Sequence, residues 1–75
     1  KNGLWIEYYE SGTKACEGQY KNDKRQGMWT CFYENGTKQI EGAYNLDLKE
    51  GTWIEFDEGG NKTNQYIYKA GNIVK

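Results

Sequence analysis

The chain has 75 residues, and ten Lys or Arg balance eleven Asp or Glu to give a net charge of −1. A chain this short leaves room for one small domain, and its balanced, scattered charge gives no electrostatic support for binding nucleic acid or an anionic membrane. The sequence contains no histidine, which excludes a His-based catalytic triad and a His-ligated zinc site.

Most of the large apolar side chains are aromatic. Leu, Ile and Val are few, whereas Trp, Tyr and Phe make up 16% of the chain. Flat rings bury large areas and favour β-strands, so they substitute for an aliphatic core. We therefore predict an all-β domain that has no deep catalytic cavity, is not an enzyme and holds no cofactor or metal.

The sequence repeats with a fixed period. Gly3 corresponds to Gly27 and Gly51, and the same spacing aligns the three tryptophans, Trp5, Trp29 and Trp53. The first two units are identical at nearly half of their positions. We predict one repeat domain, residues 1–75, made of the units 3–26, 27–50 and 51–74, and we expect it to belong to a longer array or chain.

Each unit has the pattern of a β-hairpin. Two runs of strand-forming residues flank Ser11-Gly12, Asn35-Gly36 or Gly59-Gly60, dipeptides that suit the positive φ angles of a two-residue turn. Longer connections, 21–26 and 45–50, join the units. The predicted strands are 4–9, 14–20, 28–33, 38–44, 52–57 and 62–68, and Ile73-Val74 begins a seventh. The predicted fold is a single-layer antiparallel meander of three tandem β-hairpins.

Turn position predicts the register, because a two-residue turn at 11 and 12 makes the numbers of paired residues sum to 23. Trp5 then faces Gly18, and a constant period places Gly18 opposite Trp29 and Tyr20 opposite Gly27. Each ring would cover a neighbouring glycine, which gives this aromatic face a structural role. The predicted aromatic face carries Trp5, Trp29, Trp53, Tyr20, Tyr44, Tyr68, Gly18 and Gly42.

The opposite face is mixed in character and is the predicted surface for contact with a partner. A single sheet has no second layer to cover its apolar residues, so they remain available to another protein or to a flanking domain of the same chain. We call this the aliphatic face, and its predicted contact residues are Leu4, Ile6, Tyr8, Met28, Phe32, Ile54, Phe56 and Ile67.

Four further sets of residues have chemical interest. The same register places Cys16 opposite Cys31, which permits a disulfide; in a reducing compartment, two small side chains filling the sheet surface are the favoured interpretation. Glu7 and Glu55 are the only catalytic candidates, and solvated strand residues explain them better. Turn chemistry likewise explains the glycosylation patterns at Asn35 and Asn61. The predicted row at the turn end of the aromatic face is Lys14, Lys38 and Lys62, a set suited to cation–π contacts or to a ligand.

The segment EGQYKNDKRQGMW, residues 17–29, resembles the MORN repeat, and the three units are closer still to the bacterial-type MORN variant. The resemblance covers residues 3–72. Asp23 and Asp47 depart from a frequent turn glycine, Tyr66 replaces the glycine found at 18 and 42, and Asp57 replaces the second aromatic residue of its pair. The third unit therefore resembles a capping copy.

The MORN resemblance implies a scaffolding or interaction module. Some members of the family associate with membranes or phospholipids, and a bacterial subgroup is described as antitoxin-like. Membrane association is not supported by the balanced charge of this chain. The alternative is a module that binds a small ligand, a glycan or a lipid headgroup with its aromatic rows, as choline-binding repeats do.

Overall fold

The computed structural model describes residues 2–74, which form one antiparallel sheet with strand order β1 to β7. The sheet is a single layer, with extents of 32 × 31 × 12 Å. Residues 2–74 include no helix that could span a membrane. The predicted all-β hairpin meander is confirmed. The strands are β1 Gly3–Tyr8, β2 Lys14–Lys21, β3 Lys24–Phe32, β4 Lys38–Asn45, β5 Leu48–Phe56, β6 Lys62–Lys69 and β7 Asn72–Ile73.

The turns inside the units differ from the predicted two-residue type. In the first unit the Gly12 amide donates to the Tyr9 carbonyl at 2.9 Å, and the Tyr9 amide donates to the Thr13 carbonyl at 2.8 Å. Gly12 has a φ of 94°, whereas Ser11 does not have positive φ. This is a three-residue connection in which a tight turn is followed by a left-handed glycine. The turns at Gly36 and Gly60 repeat it.

A β-bulge next to each of these turns compensates for the longer connection. Between Glu7 and Tyr8 the register of β1 with β2 shifts, so that Ala15 is the extra residue on β2. Gln39 and Thr63 occupy the corresponding positions in the other units. Beyond the bulge the predicted pairing of Trp5 with Gly18 is confirmed.

The turns between units are the tight two-residue turns. Asn22 and Asp23 have φ values of 52° and 68°, and Leu46 and Asp47 have 52° and 71°. Both residues at positive φ define the turn that best matches strand twist. Strands β3 and β5 consequently begin earlier than predicted, at Lys24 and Leu48.

Only part of the predicted register between the units is therefore confirmed. Cys16 does pair with Cys31, but the register then shifts and Tyr20 pairs with Arg25. The predicted position of Tyr20 opposite Gly27 is wrong, because the two-residue turn pairs Lys21 with Lys24 and so sets a register two residues away from the predicted one. Gly27 absorbs the irregularity with a φ of 79°.

Hydrogen bonds between neighbouring units recur with the period of the sequence. The side-chain oxygens of Asn2, Gln26 and Glu50 accept hydrogen bonds from the backbone amides of Asn22, Leu46 and Ala70. At the other end of the strands, the Tyr9 hydroxyl donates to the Phe32 carbonyl, and the Tyr33 hydroxyl donates to the Phe56 carbonyl at 2.8 Å. These tyrosines therefore connect each hairpin to the next.

Leu46 is a bulky residue in a left-handed conformation, and we expect Leu46→Asn to stabilise the protein. Asn tolerates positive φ and already occupies the equivalent position 22, so the gain in the free energy of unfolding should be about 0.5–1 kcal/mol. The amide bond to Gln26 is retained because it uses the backbone. Denaturant unfolding measures the change, and Leu48→Asn, in a strand and similarly exposed at 48%, is the control. An equal gain in both variants would contradict the turn explanation.

Candidate functional site

One face of the sheet carries a continuous series of aromatic rings. Tyr20 stands edge-on between Trp5 and Trp29, with ring centroids 6.0 and 5.3 Å away. The edge-to-face pattern continues to the last unit, as the ring quadrupoles favour. We call this series the aromatic ladder; its members, in spatial order, are Trp5, Tyr20, Trp29, Tyr44, Trp53 and Tyr68.

Two tryptophans of the aromatic ladder form the core of the protein. Trp29 and Trp53 are only 7% and 3% exposed. The Trp29 ring lies on Gly18, where a Cβ atom would overlap it, and Trp53 lies on Gly42 in the same way. Their indole Nε1 atoms donate to the carbonyls of Gln19 and Ala43, at 3.1 and 3.0 Å. The predicted covering of glycine by a ring thus occurs at Gly18 and Gly42.

The tyrosine rings do not cover Gly3, Gly27 and Gly51, although these glycines pair with Tyr20, Tyr44 and Tyr68 in the sheet. A Cβ placed on Gly3, Gly27 or Gly51 would meet no atom within 4 Å, and all three glycines have positive φ. Their role is conformational, since L-residues rarely adopt this backbone. The tyrosines of the aromatic ladder pack instead against the tryptophans beside them.

A groove of about 280 Å³ runs along the aromatic ladder. Its lining includes Tyr20, Trp29, Tyr44, Trp53 and Glu7. Arg25 and Lys49 also line it, a pair that the sequence analysis did not single out. The sequence could have indicated this pair, because the two cations occupy equivalent positions of successive units. The groove has the aromatic walls of a ligand site, and its lining carries one carboxylate and two cations.

The ring faces in this groove are already in contact with cations of the chain itself. The Arg25 guanidinium lies 4.2 Å from the centroid of Tyr44, and Lys49 Nζ lies 4.9 Å from both Trp53 and Tyr68. Asp47 fixes Arg25 with a 2.9 Å ion pair, and their hydrogen bond raises the pKa of Arg25. A quaternary ammonium ligand would have to displace these cations, which disfavours a choline-type cage.

Cys16 and Cys31 lie in the same groove and connect the first two units. The structure joins their sulfur atoms across β2 and β3. The pair closes a loop with a sequence separation of 15.

We expect oxidised protein to lose stability on reduction. Closing a loop of this length stabilises the folded state by about 3 kcal/mol in the chain-entropy model, so reductant should lower the free energy of unfolding by roughly 2–3 kcal/mol. Urea unfolding with and without reductant tests this, and alkylation followed by intact mass counts free thiols. The double variant Cys16→Ala/Cys31→Ala should not respond to reductant. Two alkylated thiols in folded, non-reduced protein would contradict the bridge.

The described residues also match a known family of repeats. The MORN repeat variant model matches three tandem segments, residues 1–22, 25–45 and 49–70. The chain belongs to the MORN repeat variant family. MORN repeats are typically protein- or membrane-interaction modules and are generally non-enzymatic. No curated protein and no solved structure matches this chain significantly.

The lysines of the MORN hairpins lie on the face opposite to the one predicted. Lys14 Nζ is 2.8 Å from Glu17, and Lys38 Nζ is 3.2 Å from Glu41. Glu17 pairs with Ile6 on the aliphatic face. The bulges at 15 and 39 reverse the alternation of side chains, which the sequence analysis had assumed to be uninterrupted. These lysines are therefore not part of the groove, and the predicted row on the aromatic face is wrong.

The aliphatic face of this MORN sheet keeps large apolar side chains in solvent. Leu4, Tyr8 and Met28 are 68%, 60% and 60% exposed, and Ile67 is 37% exposed. The other four residues of the predicted contact set, Ile6, Phe32, Ile54 and Phe56, are half-buried. The most exposed members thus lie on β1 and β3, in the first two MORN units.

The remaining polar candidates are engaged in local structure. Glu55 accepts a 3.1 Å hydrogen bond from Asn64, and Glu7 is exposed on the edge strand. Asn35 accepts from the Thr37 amide within its own turn and donates to the Glu58 carbonyl in the turn of the next unit. Within residues 2–74, no group of three or more Asp, Glu or Cys could hold a metal.

Two aspartates of the MORN turns should make the protein less stable in acid. The Arg25 backbone amide, and then its guanidinium, lower the pKa of Asp47 below its ordinary value of 3.8. The Asn61 amide, followed by that of Gly59, lowers the pKa of Asp57. A depressed folded-state pKa contributes stability that is present above the ordinary value and is lost as the pH falls through the folded value.

We therefore expect the unfolding temperature to fall below pH 3.8, and less steeply in the variant Asp47→Asn/Asp57→Asn. Carboxyl ¹³C NMR titration of the unaltered chain gives the two midpoints directly. Midpoints at or above 3.8 would contradict the hydrogen-bond explanation.

Proposed function

We propose that this chain is a non-enzymatic MORN-type scaffold module that binds a partner protein, or a flanking domain of its own chain, through the aliphatic face. The observation that carries the proposal is the exposure of Leu4, Tyr8 and Met28 on one side of a sheet to which residues 2–74 add no second layer. Several large apolar residues exposed on one face of a sheet are typical of an interaction surface.

The two faces of the sheet differ in how far their large side chains are already buried and hydrogen-bonded within the chain. On the aromatic face, Trp29 and Trp53 are buried and their Nε1 atoms have carbonyl partners. On the aliphatic face, Leu4 and Met28 gain most from a covering surface because most of their area is in water. The aliphatic face therefore offers the larger hydrophobic gain on binding.

The charge of the aliphatic face also favours a protein over an anionic membrane. Lys14 and Lys38 are neutralised by Glu17 and Glu41 on that same surface. Binding to anionic lipid uses a cluster of cations without such partners. We therefore expect the complementary surface of the partner to be apolar at its centre and to carry little net charge.

The third unit supplies the variant that tests this proposal. Thr52 occupies the position of Leu4 and Met28 in β5, so Leu4→Thr/Met28→Thr installs a residue that the fold already accepts there. Crosslinking in the native source should recover a partner with the unaltered chain and lose it with this variant. The control Glu10→Gln/Glu34→Gln, at exposed turns away from Leu4 and Met28, should retain it. Equal recovery by both variants would remove the aliphatic face as the contact.

A ligand-binding module is the alternative, and the aromatic groove is the observation that favours it. Its Trp and Tyr walls suit a glycan or a lipid headgroup, while the chain's own cations on those rings oppose a quaternary ammonium. Titration with choline, with oligosaccharides and with headgroup analogues should change tryptophan fluorescence if the groove binds one of them. No change across the three sets would eliminate this alternative.

A further inference from the structure

The two cations of the aromatic groove have the same backbone surroundings. Arg25 is the second residue of β3, and Lys49 is the second residue of β5. The Arg25 carbonyl accepts a hydrogen bond from the amide of Asp47, and the Lys49 carbonyl accepts one from the amide of Gly71, each at 3.0 Å. Asp47 and Gly71 are the second residues of equivalent tight turns, with φ values of 71° and 87°. The two positions can therefore be compared residue by residue.

The compensation of charge differs between these two positions. Asp47 Oδ1 accepts from Arg25 Nε at 2.9 Å and from the Arg25 backbone amide at 2.8 Å. Gly71 occupies the place of Asp47 in the next unit and has no carboxylate to offer. Within residues 2–74, Lys49 forms no ion pair. This difference arises between described residues and is independent of any unit that precedes or follows them.

Lys49 is held in the groove by aromatic rings alone. Its Nζ atom lies 4.9 Å from the ring centroids of Trp53 and Tyr68, and the residue is half-buried. Ring faces attract an ammonium group but do not neutralise it. Because a cation that has lost part of its hydration interacts more strongly with a nearby anion, Lys49 is a favourable contact for a negatively charged ligand.

We propose that the aromatic groove binds a small organic carboxylate with an apolar or aromatic body, and that the carboxylate pairs with Lys49 as Asp47 pairs with Arg25. The body of the ligand lies against the lining formed by Ile40, Tyr44 and Trp53. The groove volume of about 280 Å³ is near the lower end of the range for small-molecule sites.

The charges that line the groove favour a ligand with one negative charge. Asp47 already compensates Arg25, so Lys49 is the cation that remains for the ligand. Glu7 belongs to the same lining and repels further negative charge. A phosphate monoester carries close to two negative charges at neutral pH and matches this lining less well than a carboxylate does.

This proposal specifies the ligand of the aromatic groove, and it therefore rests on the alternative function of ligand binding. It does not involve the aliphatic face. Binding of a neutral oligosaccharide or a headgroup analogue, without binding of a carboxylate, would leave the alternative function standing and overturn the present proposal.

Phenylacetate and its neutral amide, phenylacetamide, test the proposal on the unaltered chain. Phenylacetate should produce saturable NMR shifts at the Trp53 indole and at the Lys49 side chain. Phenylacetamide has the same ring and nearly the same shape, but it cannot form the ion pair, so it should bind at least about tenfold more weakly. Acetate, which has the charge without the ring, should also bind more weakly than phenylacetate.

Gly71 offers a matched pair of variants. Gly71→Asp gives Lys49 the partner that Arg25 already has, and it should weaken phenylacetate binding at least about tenfold. Gly71→Asn has the same shape without the charge and should leave the affinity nearly unchanged. Asp and Asn both tolerate positive φ, and the closest contact of an added Cβ is the flexible end of Leu48 at 3.2 Å. Circular dichroism checks that both variants are folded.

Lys49→Gln provides a second test from the other side of the contact, because it should abolish the preference for phenylacetate over phenylacetamide. Equal affinities of the unaltered chain for these two compounds would overturn the proposal, as would equal binding of phenylacetate by Gly71→Asp and Gly71→Asn. NMR shifts located away from the groove, or no saturable shift at millimolar phenylacetate, would overturn it as well.

Discussion

Replacing Trp53 with alanine is expected to lower the free energy of unfolding by about 4 kcal/mol, the usual range for removing a buried aromatic side chain. The ring is 3% exposed and stands between Tyr44 and Tyr68, at 5.0 and 6.3 Å. Its removal also leaves the Ala43 carbonyl without the Nε1 donor and removes one of the two rings that Lys49 contacts. Few small domains retain much stability after such a loss.

The three equivalent tryptophans provide the comparison for this prediction. Trp29→Ala should cost nearly as much, because Trp29 has two tyrosine neighbours and is 7% exposed. Trp5→Ala should cost clearly less, because Trp5 lies half-buried on the edge strand. Urea unfolding followed by circular dichroism measures all three. Equal losses at the three positions would show that packing on glycine is not the source of the stability.

Gly42→Ala is expected to lower the free energy of unfolding by about 3 kcal/mol, although it adds a single methyl group. The added Cβ would overlap the Trp53 ring, which cannot move away because Tyr44 and Tyr68 flank it and Ala43 holds its Nε1. The ring or the strand must therefore shift. Gly59→Ala is the control: it lies in an exposed turn, its Cβ would have ordinary contacts, and its φ is not in the left-handed range.

The double variant Gly42→Ala/Trp53→Ala isolates the interaction between the two residues. Once the ring is absent, the added methyl group has nothing to overlap, so the double variant should be little less stable than Trp53→Ala alone. Thermal unfolding of the four proteins gives the coupling free energy. Strict additivity would mean that the glycine is required for its backbone conformation instead.

The sequence predicts this fold well because its strongest signal, the period of the repeat, reports directly on neighbouring strands. The spacing of Trp5 and Gly18 was sufficient to place them opposite each other, and the same register brought Cys16 opposite Cys31. Trp5 and Gly18 lie near the middle of their strands, beyond the bulge that cancels the error in the assumed turn.

Prediction was less accurate near the strand ends, for identifiable physical reasons. Ser11-Gly12 resembles a two-residue turn, but only Gly12 adopts positive φ. Leu46-Asp47 has no turn signature, since leucine rarely adopts such a conformation, and yet it forms the tighter turn. One extra residue, Ala15, then moves Lys14 to the other face. Composition does not reveal a single inserted residue.

The candidate surfaces were partly accessible from the sequence as well. Alternation within strands was enough to separate Trp29 from Met28. The ring contacts of Arg25 and Lys49 required the tight turns, which carry these residues back over the aromatic ladder. Exposure could not be ranked from the sequence either: Leu4 and Ile6 share a face, but Leu4 is 68% exposed while Ile6 is half-buried.

The burial of each core tryptophan on the preceding unit makes folding a property of pairs of units. Trp29 requires Gly18 from the first unit, and Trp53 requires Gly42 from the second, so a single hairpin unit in isolation cannot bury its own indole. Such a chain behaves as a one-dimensional lattice in which each unit is cooperative only with its neighbours. The middle unit takes part in both of these interactions, because it contains Trp29 and Gly42. Opening of the terminal hairpins should therefore precede global unfolding, and the slowest-exchanging amides should belong to β3 and β4.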